Sequence, residues 1–160
     1  MNFLERLVAE WYEYNRYLVK TNHKYNLRPI KLKGGYEGEF DVLAFHPTKK
    51  ELIHIEASTD ANSNKERTEY VQKKFRAKDE EYLKEFPFAK GWTIKRRAII
   101  GLQKKVLPSP HPTIETFSIP GFLEEICEEL KKCFPLEDAV PECYSLLRAI
   151  QFAVHFGISK

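Results

Sequence analysis

The chain predicts an α/β fold: a mixed central sheet of about five strands flanked by helices, with two extra C-terminal helices. Three observations carry this. Glu39–His46 and Leu52–Ser58 are rich in large apolar residues and read as strands, and the HPTKK between them has turn chemistry, so the pair reads as a hairpin. Other segments repeat apolar residues at helical spacing. The run RAIIG, residues 97–101, is apolar enough to be buried on both faces of a sheet. With 160 residues one domain is expected, a core over about residues 2–119 and a helical extension over about 120–156.

Asn2 is placed to cap a first helix running to about Lys20, with Leu4, Leu7, Trp11, Tyr14 and Leu18 on one stripe and Glu10 at its edge. KYNLRPIKL, residues 24–32, reads as a short strand in which Pro29 signals an edge or an irregularity. Gly34-Gly35 ends it, and the hairpin follows. DANSN is a loop with capping residues, and a long helix is expected over Asn64–Lys84 with Val71, Phe75, Lys78 and Tyr82 along one side. TIKRRAIIGL supplies a strand ending at Gly101, LPSPHP a loop and TIETFSI a last strand. Pro120 opens a helix with Phe122, Ile126, Leu130 and Cys133 on one stripe, and Pro141 another with Tyr144, Leu147, Ile150 and Val154.

Composition excludes several classes. A 42% apolar fraction with 13% aromatics argues against disorder. No segment approaches the roughly 20 apolar residues that span a bilayer, and Glu5, Arg6 and Glu10 interrupt any leader-like run. A cytoplasmic protein without a membrane partner is expected. The three cysteines, Cys127, Cys133 and Cys143, are odd in number and match no zinc spacing, which reads as buried thiols in a reducing compartment. A net charge of +3 leans mildly toward anionic partners.

The chemistry concentrates in the hairpin. Strand alternation puts Asp41, Leu43 and Phe45 on one face, with Glu37 and Glu39 if the chain is extended before them. His54, Glu56 and Ser58 share a face of the next strand, and antiparallel pairing brings Asp41 toward Glu56 and Ser58. Carboxylates solvated on an edge hairpin would have polar neighbours. Here the neighbours are FDVLAF and LIHIEA, where unpaired carboxylates repel each other and are costly to desolvate. A divalent cation relieves this, and oxygen ligands suit Mg²⁺, with Mn²⁺ as a substitute.

A helix bearing an acidic residue, a hairpin carrying Asp41 and Glu56 fifteen residues apart, then a helix and further strands resembles the PD-(D/E)xK nuclease superfamily, the restriction-endonuclease-like fold. The string GGYEGEFDVLAFHP…LIHIEAS also resembles uncharacterised bacterial proteins placed near that superfamily. The resemblance covers roughly Asn2 to Gly101. It implies Asp41 and Glu56 as metal ligands, with Glu10 or Glu39 as a third, and catalysis on DNA. Phe40 stands where the motif has Pro, and Ser58 where it has Lys. In such nucleases that lysine orients the attacking water and offsets transition-state charge, which a hydroxyl cannot do.

In members of the superfamily the lysine can migrate to the following helix. With Val71 and Phe75 inward, Lys74 lies about 60° from Val71 at the edge of the buried stripe, while Lys73 points nearly opposite. Lys74 is therefore the candidate, with Arg67 and Lys78 behind it and snorkelling from a packed helix as the alternative. His54 is read either as a transition-metal ligand or proton-transfer group, or as a satisfied half-buried histidine. Basic residues cluster at Lys31–Lys33, along the long helix and at Lys95–Arg97, where they either contact phosphates or simply face solvent.

The expected function is a Mg²⁺-dependent phosphodiester hydrolase acting on DNA, with Asp41, Glu56, Lys74 and Ser58 at the reaction centre. The alternative is a nuclease-fold protein without catalysis, serving as a DNA-binding or protein-assembly module. A homodimer through the C-terminal helices would suit two-strand cleavage, although the same stripes could cover the sheet.

Overall fold

The computed structural model describes residues 2–25, 38–59, 64–103 and 112–157. It is α/β: a five-stranded mixed sheet flanked by helices. The elements are α1 (Phe3–Tyr14), β1 (Leu18–Tyr25), β2 (Gly38–His46), β3 (Glu51–Ser58), α2 (Asn64–Lys74), α3 (Asp79–Glu85), β4 (Thr93–Ile100), β5 (Ile114–Phe117), α4 (Ile119–Leu130) and α5 (Ser145–Phe156), with a short 3-10 turn at Pro87–Ala89. Strand order follows chain order, β1 to β5. β1, β2 and β3 pair antiparallel, while β3–β4 and β4–β5 are parallel, so α2 and α3 form the crossover that parallel pairing requires.

Each face of the sheet has its own cover, set by strand alternation. Val42, Ala44, Ile53, Ile55, Ala57 and Ile99 face Leu4, Leu7, Val8 and Trp11 of α1, Phe122, Ile126 and Leu130 of α4 and Leu147 of α5. On the opposite face Leu43, Phe45 and Leu52 meet Tyr82 and Phe86, and further along Ala98, Ile100 and Ile114 meet Val71 of α2 and Phe75 just after it. The C-terminal stripes are thus spent covering the sheet of their own chain. Among the described residues, the large apolar side chains left exposed there are Phe134, Leu136, Phe152 and Phe156.

Three local expectations change. The first helix starts at the Asn2 cap as expected, with Glu5 completing a capping box, but stops at Tyr14 rather than near Lys20, and Arg16 with φ 67° turns the chain. Residues 18–25 then form an edge strand. Most of the strand expected over 24–32 lies outside the described residues. The long helix is two helices, because the chain breaks between Lys74 and Asp79 with Phe75 and Ala77 both buried. The carbonyl of Ala77, freed by the break, accepts from Arg96 at 3.0 Å. Among the described residues, no helix is long and apolar enough to cross a membrane. Cys127 and Cys133 are half-buried and Cys143 is exposed, so burial of all three thiols is corrected; all are free.

Candidate active site

Asp41 and Glu56 meet across the β2–β3 hairpin. The register pairs Val42 with Ile55 and Leu43 with His54, which brings the start of β2 beside the end of β3 on the face turned to α2. The Asp41 backbone N–H points at Glu56 Oε1, 3.4 Å away. Asp41 is 7% exposed and Glu56 not at all. Opposite Asp41 on the edge strand, Asn22 adopts φ 51°, and beyond it the alternation changes, so that Phe40 packs over the same face as His54.

The cation for this pair comes from α2. Val71 and Phe75 anchor that helix to the sheet, and Lys74 lies at the edge of their stripe. Its Nζ donates to Asp41 Oδ1 at 2.8 Å and stands 2.7 Å from Glu56 Oε2. The contact with Asp41 is an aligned hydrogen bond. The contact with Glu56 is a close charge pair that gives the buried Oε2 the Lys74 ammonium as its partner. Lys74 also lies 5.7 Å from the centre of the Tyr70 ring. Its side chain is 27% exposed, so it reaches the pair from the rim.

Protonation follows from this packing. Burial first, then the neighbouring Glu56 carboxyl, push Asp41 up to about 6, with Lys74 pulling the other way. Burial also raises Glu56, against the opposing effects of Asp41 and Lys74. Burial works against the Lys74 charge, but Glu56 and then Asp41 hold the ammonium above the usual lysine range. Two carboxyls and one ammonium thus share a pocket that keeps a proton on Asp41 until near neutrality.

The donor set suits a hard divalent cation. Asp41 and Glu56 supply carboxylate oxygens, and the buried Glu56 Oε2 has the Lys74 ammonium as its charge partner. Among the described residues, no group of three or more His, Cys, Asp or Glu is arranged so that it could hold a metal ion. A cation here would therefore take two protein carboxylates and complete its shell with water, the habit of Mg²⁺.

The remaining candidates fall elsewhere or at the rim. Glu10 is not brought to the pair. It sits on α1, over the other face of the sheet, and accepts from the backbone N–H of Leu146 at 2.8 Å and of Leu147 at 3.1 Å, with Arg6 at 3.2 Å. These are orphan donors of the first turn of α5, and a carboxylate there also opposes the helix dipole. The expectation of Glu10 as a metal ligand is thereby corrected. Glu39 lines a cavity of about 400 Å³ beside the pair, with Lys24, Tyr25, Gly38, Lys73, Lys74 and Arg76. Ser58 lies two residues beyond Glu56, half-buried and in register with Ile100. Lys78 is exposed beyond the helix break, where its N–H donates to Glu81. Glu37, Lys31–Lys33 and the Arg67 side chain lie outside the described residues.

His54 is fully buried rather than half-buried, and both ring nitrogens are engaged: Nε2 with Glu56 Oε1 at 2.6 Å and Nδ1 with the Tyr82 hydroxyl at 2.7 Å. Burial pushes the imidazole down to about 3, so it is neutral. The reading of His54 as a metal ligand gives way to that of a satisfied histidine. Tyr82 was not a candidate; only the three-dimensional path of α3 places it here. The Lys95–Arg97 cluster is internally paired. Lys95 binds Glu51, Arg96 binds Asp79 and the Ala77 carbonyl, and Arg97 binds Glu115 and Tyr12.

No protein-family model matches the chain, and no curated protein matches it. Among solved structures it is similar to the crystal structure of AF1548, a protein of unknown function, at 14% identity over 94% of this chain and 95% of that one, with a TM-score of 0.46. A likeness that loose carries no argument about fold or activity.

Proposed function

We propose that the protein is a metal-dependent phosphodiester hydrolase acting on DNA, with Asp41, Glu56 and Lys74 as its centre. The observation that supports this most is the position of Lys74: a lysine from the helix after the hairpin reaches both carboxylates, 2.8 Å from one and 2.7 Å from the other. That supplies the cation which Ser58 does not. Asp41 and Glu56 Oε2 would hold Mg²⁺ or Mn²⁺. Such an ion, when bound, polarises the scissile phosphate and lowers the pKa of a bound water.

The chain's own residues have definable tasks. Lys74, charged through the physiological range, would leave the carboxylates as the cation enters and face the phosphate, where charge builds in the transition state. The adjoining cavity carries Lys24, Lys73 and Arg76 around Glu39, a cationic lining suited to a phosphate backbone. Ser58, at the end of β3, is left as a hydrogen-bonding group at the rim.

The test is cleavage of supercoiled and linear DNA with Mg²⁺ or Mn²⁺. Wild type is expected to cut with metal, and Asp41→Ala to lose at least about 100-fold, several kcal/mol of transition-state stabilisation. Absence of metal-dependent cleavage by the wild type overturns the reading.

A second reading is favoured by the same ion pair. Lys74 compensates both carboxylates without a metal, as befits a nuclease-fold module that binds DNA or assembles with protein but does not cut. Salt-dependent DNA binding with no Mn²⁺ binding by calorimetry would select it. Self-association through the C-terminal helices would rest on Phe134, Leu136, Phe152 and Phe156.

A further inference from the structure

We propose that His54, locked in one tautomer by Tyr82, is a positioning residue for this site: it pins one oxygen of Glu56 so that the other faces the Lys74 ammonium. What Glu56 then does rests on the nuclease reading; how it is held does not.

The arrangement starts in the sequence. His54 and Glu56 are two apart on β3, so their side chains stand side by side on one face. A neutral imidazole has one donor and one acceptor nitrogen, and an ionised carboxylate only accepts. The 2.6 Å contact with Glu56, once that carboxyl is ionised against Lys74, therefore places the hydrogen on Nε2. Nδ1 is left as acceptor, and its partner at 2.7 Å, the Tyr82 hydroxyl, is the donor. Burial raises the Tyr82 hydroxyl well above its ordinary range, so it keeps the proton it donates.

Both ends of this chain are fixed. The imidazole lies between the Phe40 and Phe75 rings, with centroids 4.7 and 4.6 Å away. Tyr82 arrives on α3, the helix that exists because the chain breaks after α2. The Arg96 guanidinium covers its ring at 5.3 Å and is itself held by the Ala77 carbonyl and Asp79. His54 has no solvent-exposed surface, so it touches neither substrate nor bulk water and acts only through Glu56.

The consequence falls on the carboxylate. Oε1 faces His54 Nε2 and, more distantly, the Asp41 N–H. Rotating the carboxylate breaks the shorter of these bonds. Oε2 consequently stays aimed at the Lys74 ammonium. Without the Tyr82 hydroxyl, the other tautomer becomes accessible and turns a lone pair of Nε2 toward Oε1, which repels it. Outer partners that orient a ligand typically contribute 10- to 100-fold in metal affinity.

The experiment combines two-bond ¹H–¹⁵N correlation spectra of the histidine rings with Mn²⁺ calorimetry at one pH, 7.5, on wild type, Tyr82→Phe, His54→Phe and His54→Gln. Expected is an Nε2–H tautomer for His54 in the wild type and a tautomer mixture in Tyr82→Phe. Mn²⁺ affinity should fall about 10-fold or more in Tyr82→Phe and His54→Phe, and recover in part in His54→Gln, whose amide can donate to Glu56. An Nδ1–H tautomer in the wild type overturns the proposal. So does Tyr82→Phe with unchanged tautomer and affinity. If His54→Phe does not fold, Tyr82→Phe decides, since it keeps the ring. Wild type with the expected tautomer, a mixture in Tyr82→Phe and no Mn²⁺ binding supports the tether and overturns the nuclease reading alone.

Discussion

Replacing Lys74 with Met removes an ammonium from between two buried carboxylates while keeping most of the aliphatic stem. Breaking a fully buried ion pair costs about 3–5 kcal/mol, because a charge is left uncompensated. Glu56 and Asp41 are buried, but the Lys74 side chain is 27% exposed. Solvent screening at that rim lowers the expectation to about 2–3 kcal/mol at pH 8. At pH 5 the cost should be smaller. Asp41 titrates at about 6 in the folded protein against 3.8 ordinarily. Between these values the folded state binds the extra proton, so its stability is highest below the ordinary value and declines as pH rises through the folded one. Without Lys74 the carboxyls hold protons more firmly still, and a proton substitutes for the missing ammonium. Each pKa unit gained is worth about 1.4 kcal/mol, so the penalty at pH 5 should be at least about 1 kcal/mol below that at pH 8. Urea unfolding of both proteins at the two pH values measures this. A penalty under about 0.5 kcal/mol at both would make Lys74 an ordinary surface ion pair and refute the reasoning.

Two other outcomes follow from the geometry. Glu10→Ala should cost about 1–2 kcal/mol in urea unfolding, the scale of a lost helix cap, and leave Mn²⁺ affinity unchanged, since Glu10 caps α5 on the other side of the sheet. Mn²⁺ binding by calorimetry should tighten as pH rises from 5 to 7 and release a proton below pH 6, because a cation on Asp41 displaces the proton that burial keeps there. Binding that does not change over that range would contradict the site.

The hairpin was legible because its pattern is local. Period-two alternation placed Asp41, His54 and Glu56 on one face, and the turn between the strands fixed their pairing. Lys74 was legible for a related reason: Val71 and Phe75 define the inward direction of α2, and the helical angle does the rest. What escaped depends on contacts between distant segments. Tyr17, Leu18 and Val19 continue a helical stripe as readily as they begin a strand, and nothing in Arg16 announces its left-handed backbone. The break after Lys74 contains neither Gly nor Pro; buried Phe75 and Ala77 and the bond from Arg96 hold it open. Glu10 looked like a possible ligand because its partners, Leu146 and Leu147, are some 136 residues away in sequence. His54 was visible on the right face, but the Tyr82 that satisfies it comes from a helix whose start the sequence did not mark.

The proposed function makes Asp41 and Glu56 two halves of one cation site, with Lys74 as its movable charge. Crystals soaked in Mn²⁺ test it most directly, through the anomalous signal of the ion. One peak is expected at about 2 Å from an Asp41 oxygen and from Glu56 Oε2, with the Lys74 ammonium moved off both. Lys74 still bridging the two carboxylates, with no peak between them at saturating Mn²⁺, would contradict it.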